Sequence, residues 1–100
     1  MAVRIEYKPA AEVEVTEAFN TYEIERPGLG ADFLDELGRI ESHLQANPAL
    51  YQRIDGDVRR AILRRFPYGL FYVVDGEQVN VLACLHLRRA PISRADLMAR

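Results

Sequence analysis

A single cysteine, Cys84, is all the thiol this 100-residue chain contains, so no internal disulfide can brace it. Two scattered histidines, His43 and His86, give no zinc-ligand spacing with it. Lysine is equally scarce: Lys8 is the only one, and twelve arginines carry the rest of the positive charge. No run of about 18 apolar residues occurs, which excludes a transmembrane helix of ordinary length. The segment Met1-Ala2-Val3-Arg4-Ile5-Glu6-Tyr7-Lys8 alternates charged and apolar groups and lacks the apolar stretch of a secretory signal. Glycine-rich phosphate loops, nucleophile elbows and dinucleotide fingerprints are absent too. These absences predict a cytoplasmic protein that needs no metal, cofactor or membrane. With 49% hydrophobic and 28% charged residues, disorder is not expected, and residues 1–100 are predicted to form one domain with a tail from about residue 90.

What is present is unevenly spread. Residues 1–50 hold four bases against ten acids, a balance of −6, whereas residues 51–100 hold nine arginines against five acids, a balance of +4. Arginine's planar fork suits phosphate and carboxylate, although a GC-rich genome would give the same preference over lysine. The change of sign follows a change of periodicity. Val3, Ile5 and Tyr7 alternate as in a half-buried strand. Pro9 fits the first position of a helix, after which Ala11, Val15, Ala18, Phe19 and Tyr22 form a helical stripe. Glu12, Glu14, Glu17, Glu23 and Glu25 fall largely off it and are expected in solvent. Pro27-Gly28-Leu29-Gly30 interrupts; Phe33, Leu34, Leu37, Ile40 and Leu44 make a second stripe, and Asn47-Pro48 ends it.

Beyond a polar connection over residues 49–57, strands are predicted at 58–66, 70–74 and 78–87, with turns at Pro67-Tyr68-Gly69 and Asp75-Gly76. The expected fold class is therefore α+β in the order β-α-α-β-β-β: a helical hairpin on one face of a mainly antiparallel, four-stranded sheet. In the last strand Val79, Val81, Ala83, Leu85 and Leu87 form an apolar set expected under the helices. Asn80, Leu82, Cys84, His86 and Arg88 would face the other way, where Leu82, Cys84 and half of the 70–74 strand leave an apolar trough. Either a partner segment covers that trough, or the tail does, since Ser93 and Asp96 have the spacing of a helix cap.

Four arginines fall within the 58–66 segment. Alternation puts Arg60 and Arg64 on one face and Arg59 and Arg65 on the other, without saying which face is open. They protect a sheet edge by charge, or they converge with Arg88 and Arg89 on a phosphate-bearing partner. His86 is placed either to transfer protons near neutral pH or to rest on a backbone carbonyl. Tyr68 and Tyr72 serve either as stacking platforms for bases or as core. His43 reads as solvated surface.

The element order, together with Arg64-Arg65-Phe66-Pro67-Tyr68-Gly69-Leu70-Phe71-Tyr72-Val73-Val74, resembles the RelE/ParE superfamily of toxins from bacterial type II toxin–antitoxin modules. Pro27-Gly28-Leu29-Gly30, Asn47-Pro48 and Val81-Leu82-Ala83-Cys84-Leu85-His86-Leu87-Arg88-Arg89-Ala90-Pro91 extend the likeness from residue 2 to about residue 91. The resemblance implies a growth-inhibiting toxin of the plasmid-stabilisation kind, held by a cognate antitoxin in a hetero-oligomer. Leu82, Cys84, Phe71 and Tyr72 are the antitoxin contacts it suggests. Arg60, Arg64, Arg65, Arg88, Arg89 and Tyr68 are those suggested for a target. RelE-like relatives cleave mRNA on the ribosome by attack of a 2′-OH on phosphate, for which Arg65 and His86 would be the catalytic residues. ParE-like relatives instead bind and inhibit DNA gyrase. With no lysine after Lys8 and no tyrosine after Tyr72, the resemblance is to the ParE-like branch.

Overall fold

The computed structural model describes residues 3–89 and 92–100. Strand β1, Arg4–Tyr7, runs straight into helix α1, Pro9–Glu25, because Pro9 sits in the first turn, where an amide hydrogen has no helical partner. Gly28 then turns the chain with φ of 92°, a left-handed conformation that favours glycine, and α2 follows over Leu29–Ala46. The hairpin closes tightly. A Cβ on Gly30 would stand 2.6 Å from Glu23 Cγ and 2.8 Å from the Phe19 carbonyl oxygen. Glu23 Oε1 accepts the amide hydrogens of Gly28 and Gly30 at 3.0 and 2.9 Å, which caps α2 in the absence of a Ser, Thr or Asp there.

The rest of the chain builds the sheet: β2 (Arg53–Asp55), β3 (Val58–Ile62), β4 (Tyr68–Asp75) and β5 (Gln78–His86), then a short α3 over Arg94–Met98. The strand order is β1-β5-β4-β3-β2; β1 pairs parallel to β5 and every other pair is antiparallel. The α+β class is as expected, with five strands rather than four. The additional one, β2, folds back on β3 around Gly56 from within the connection that looked merely polar. Among the described residues, no helix is long and apolar enough to cross a membrane.

Helices α1 and α2 lie over one face. Ala11, Ala18, Phe33, Leu37, Ile40 and Leu44 pack there on Ala61, Leu63, Leu70, Tyr72, Val79, Val81 and Cys84. Ile40 has no solvent exposure, so Ile40→Val, which removes one methyl group from a filled site, is expected to cost about 1 kcal/mol. A lower urea midpoint with an unchanged slope is the result that checks it.

Three departures from the expected pattern occur, and the first two have physical causes. First, β5 carries a bulge: Tyr72 pairs with Val81 and Phe71 with Ala83, which leaves Leu82 without a residue opposite. One extra residue exchanges the faces, so Cys84 lies under the helices with Val79 and Val81, while Ala83 and Leu85 join Leu82 on the second face. Leu87 falls beyond the strand's end and is 41% exposed. Second, β3 stops at Ile62, so Arg64 and Arg65 are not strand residues and do not share faces with Arg60 and Arg59. Glu36 takes the place of the missing strand partner. It is 8% exposed, and its Oε1 accepts the amide hydrogens of both Arg64 and Arg65 at 2.9 Å. Third, Leu34 is 43% exposed although the α2 stripe includes it.

Candidate target-binding groove

The second face is partly covered by the chain itself. Ser93 Oγ accepts the Asp96 amide hydrogen and starts α3, and Leu97 is buried against Val58, Phe71, Val73, Leu82, Ala83 and Leu85. Of the two coverings considered for the trough, the tail is the one seen. A latch holds it: Arg100 donates to both oxygens of Glu14 and to the carbonyl of Leu82, the residue left over at the bulge. Glu14 also accepts from the Cys84 amide at 3.0 Å and from Arg89 at 3.2 Å. The acid expected in solvent is thus a strap between α1, β5 and the tail. Arg94 adds a second tie by donating from its backbone to Asp55 and from its side chain to Asp57.

Beside α3 the second face stays open as a groove of about 690 Å³. Its floor includes Phe71, Leu85 and Leu87, and Arg53, Arg60 and Arg89 stand around it. Arg60 reaches it because it lies opposite Phe71 in the β3–β4 ladder, on the same side of the sheet. Arg59 points the other way, under the helix layer, and donates to the Ala49 and Tyr51 carbonyls at 3.2 and 2.7 Å. Among the described residues, neither Arg53 nor Arg60 is ion-paired with a carboxylate, so both keep their charge for an incoming group.

Of the residues singled out in the sequence, Arg60 and Arg89 meet in this groove, with His86 at its end. Arg64 and Arg65 are exposed in the β3–β4 loop; Arg65 sits 5.6 Å over the Phe66 ring and 3.4 Å from Asp32 of α2. Arg88 is exposed past the end of β5. Tyr68 belongs to the helix side, stacked edge-on with Tyr22, Phe33 and His86. The four residues suggested as antitoxin contacts separate in the same way. Leu82 and Phe71 lie on the second face beneath or beside α3, whereas Cys84 and Tyr72 are covered by the helices, and Tyr72 donates its hydroxyl to the Pro48 carbonyl. Arg53 was not foreseen, because a three-residue exposed strand has no burial alternation to betray it.

His86 is held rather than poised. Its ring packs 5.3 Å from Tyr68, and its Nδ1 accepts the Arg88 amide hydrogen at 3.0 Å, which assigns the neutral ring's proton to Nε2. Burial pushes the Tyr68 hydroxyl's pKa up, which makes it a poorer proton donor and leaves little of its basic phenolate form near neutral pH. Asp55, at the far side of the groove, already accepts from the Arg94 amide. The groove thus joins guanidinium groups to an apolar floor, with His86 and Asp55 in its lining each already engaged by a backbone amide. Among the described residues, no group of three or more His, Cys, Asp or Glu side chains is placed to hold a metal ion.

Cys84 checks the strand register from which this geometry follows. Burial, with Glu14 alongside, pushes its thiol from 9.0 up to about 12. The folded chain is expected to resist a thiol reagent at pH 8 and to react once urea unfolds it. The unfolded thiol ionises first, so this contribution to stability is intact below pH 9.0 and declines from there up to about pH 12. A denaturation midpoint that falls with pH across that window is the expected result.

Over residues 5–91 the chain matches the family described as ParE toxin of type II toxin–antitoxin system, parDE. A solved structure titled "Chromosomal ParDE TA system from P. aeruginosa" is similar, with a TM-score of 0.71 and 17% identity over 84% of this chain and 95% of that one. At that identity the likeness is one of fold. No curated protein matches the chain.

Proposed function

The chain belongs to the ParE toxin family and is a toxin of a type II toxin–antitoxin system; on that premise we propose that it inhibits DNA gyrase by direct binding in the cytoplasm and is neutralised by a cognate antitoxin. The observation that carries this reading is the groove itself. Arg53, Arg60 and Arg89 ring an apolar floor of Phe71, Leu85 and Leu87, which suits a protein surface bearing carboxylates better than a reacting phosphodiester. RNA cleavage by 2′-OH attack needs one group to take a proton and another to give one. Here His86 lies by Tyr68 with Nδ1 engaged by the Arg88 amide, and burial holds the Tyr68 hydroxyl in its protonated form.

The antitoxin is proposed to use the same face in a hetero-oligomer. Phe71 is reached from the groove without moving the tail, whereas Leu82 requires α3 to lift. Cys84 and Tyr72 lie beneath the helices and drop out of the proposed contact set.

Induction of the chain without its antitoxin tests the reading. Filamentation and a DNA-damage response with transcripts left intact are expected. Rapid loss of translation with transcripts cut on the ribosome would overturn gyrase as the target and give His86 a catalytic part.

A further inference from the structure

Glu36 is a costly choice of residue for its position. Among the described residues it is the one buried charged side chain, in the middle of α2 with Phe33, Leu37 and Ile40 around it in sequence. Filling such a site needs only an apolar residue of similar size, so packing alone does not account for a carboxylate, whose loss would leave its donors unmet. What the carboxylate does is local and directional. Its Oε1 accepts from the Arg64 and Arg65 amides at 2.9 Å each, and its Oε2 accepts from Arg39 Nε at 2.9 Å. Those two amides lie between the end of β3 and the start of β4, where no strand can pair with them. One turn earlier on the same helix, Asp32 sits 3.4 Å from the Arg65 guanidinium. Thus α2 presents two acids at i, i+4 spacing. One fixes the backbone of the arginine loop, and the other steers an arginine side chain.

We infer that Glu36 is a positioning residue that holds the Arg64–Arg65 loop in the conformation presented to the toxin's target. The inference rests on the reading of the chain as a toxin and adds the loop's support to it. The function needed is an acceptor oxygen at a fixed place, not a negative charge. Glutamine supplies the same Oε1 and is predicted to suffice, whereas leucine fills the volume and offers nothing to the amides.

The test is growth inhibition on induction, with each purified variant confirmed to be folded at the assay temperature. Arg65→Ala and Glu36→Leu are each expected to raise colony survival at least tenfold. The double variant should lie within about threefold of either single one, since both changes remove the same presented arginine. Glu36→Gln is expected to stay within threefold of the wild type, and the Arg64 and Arg65 amides should exchange slowly in it and quickly in Glu36→Leu. If Glu36→Leu has fast-exchanging loop amides and yet inhibits growth like the wild type, the positioning role is wrong while the toxin reading stands. Glu36→Gln as inactive as Glu36→Leu would also overturn it. A harmless wild-type chain would instead remove the toxin reading on which the inference rests.

Discussion

Arg60→Glu is expected to weaken binding to the target about a hundredfold and to abolish growth inhibition at moderate induction. The wild-type guanidinium stands over an apolar floor next to Arg53 and Arg89, with no carboxylate of its own to satisfy. Reversing its sign removes one attraction and sets a like charge against the same partner group. At an interface this is worth about 3 kcal/mol or more, hence the factor of a hundred. The fold should tolerate the change. Arg60 is partly exposed on β3, beside the short edge strand β2, and its aliphatic stem rests over Gly69, a contact a glutamate stem partly keeps. Arg26→Glu, at the exposed end of α1, is the control and should leave growth inhibition unchanged. Arg39 would be a poor control, because it is bonded to Glu36 and so to the arginine loop.

Glu14→Ala is expected to produce the largest loss of stability of any surface-helix substitution in this chain, about 3–5 kcal/mol. The side chain is only 11% exposed, and it joins Arg89 and Arg100 to the Cys84 amide. Removing it strands a half-buried guanidinium and a sheet amide lying past the end of β1, where no strand covers it, which is the costly way to break such a cluster. The consequence should be local before it is global. With Arg100 unlatched, α3 loses its far anchor, and Leu97 leaves the pocket formed by Val58, Val73 and Leu82. Limited proteolysis should cut after Arg94 in the variant much sooner than in the wild type. A polarity-sensitive dye should find the uncovered apolar face.

The elements with strong periodicity were legible in the sequence. Pro9, the Pro27–Gly30 break and Asn47-Pro48 mark the helix ends, and Asp75-Gly76 marks the β4–β5 hairpin, because each is a local demand of backbone geometry. What escaped was whatever depends on a distant backbone group. Glu14, Glu23 and Glu36 are three helix acids that replace missing partners: Glu14 for a sheet amide, Glu23 for the first turn of α2, and Glu36 for a loop. An acid bonded to an amide hydrogen leaves no mark in sequence, since every residue but proline offers one. The bulge at Leu82 escaped for a related reason. Val81 to Leu85 is apolar throughout, so the pattern carries no mark of a slip, and only pairing with β4 shows where a residue is left over. That slip is why Cys84 was expected on the open face and Leu85 beneath the helices. Arg60 and Arg89 were found as candidates by residue type alone; their meeting in one groove depends on a sheet order that local patterns do not specify.

The account depends on this protein acting by grip rather than by cutting. The direct measurement is supercoiling of relaxed plasmid by purified DNA gyrase, with the 100-residue chain added over a range of concentrations. Supercoiling should stop at stoichiometric or modest excess of the chain, remain stopped with His86→Ala, and resume with Arg60→Glu. Gyrase that works undisturbed at every concentration, while the same preparation cleaves mRNA on ribosomes and loses that activity with His86→Ala, would contradict it.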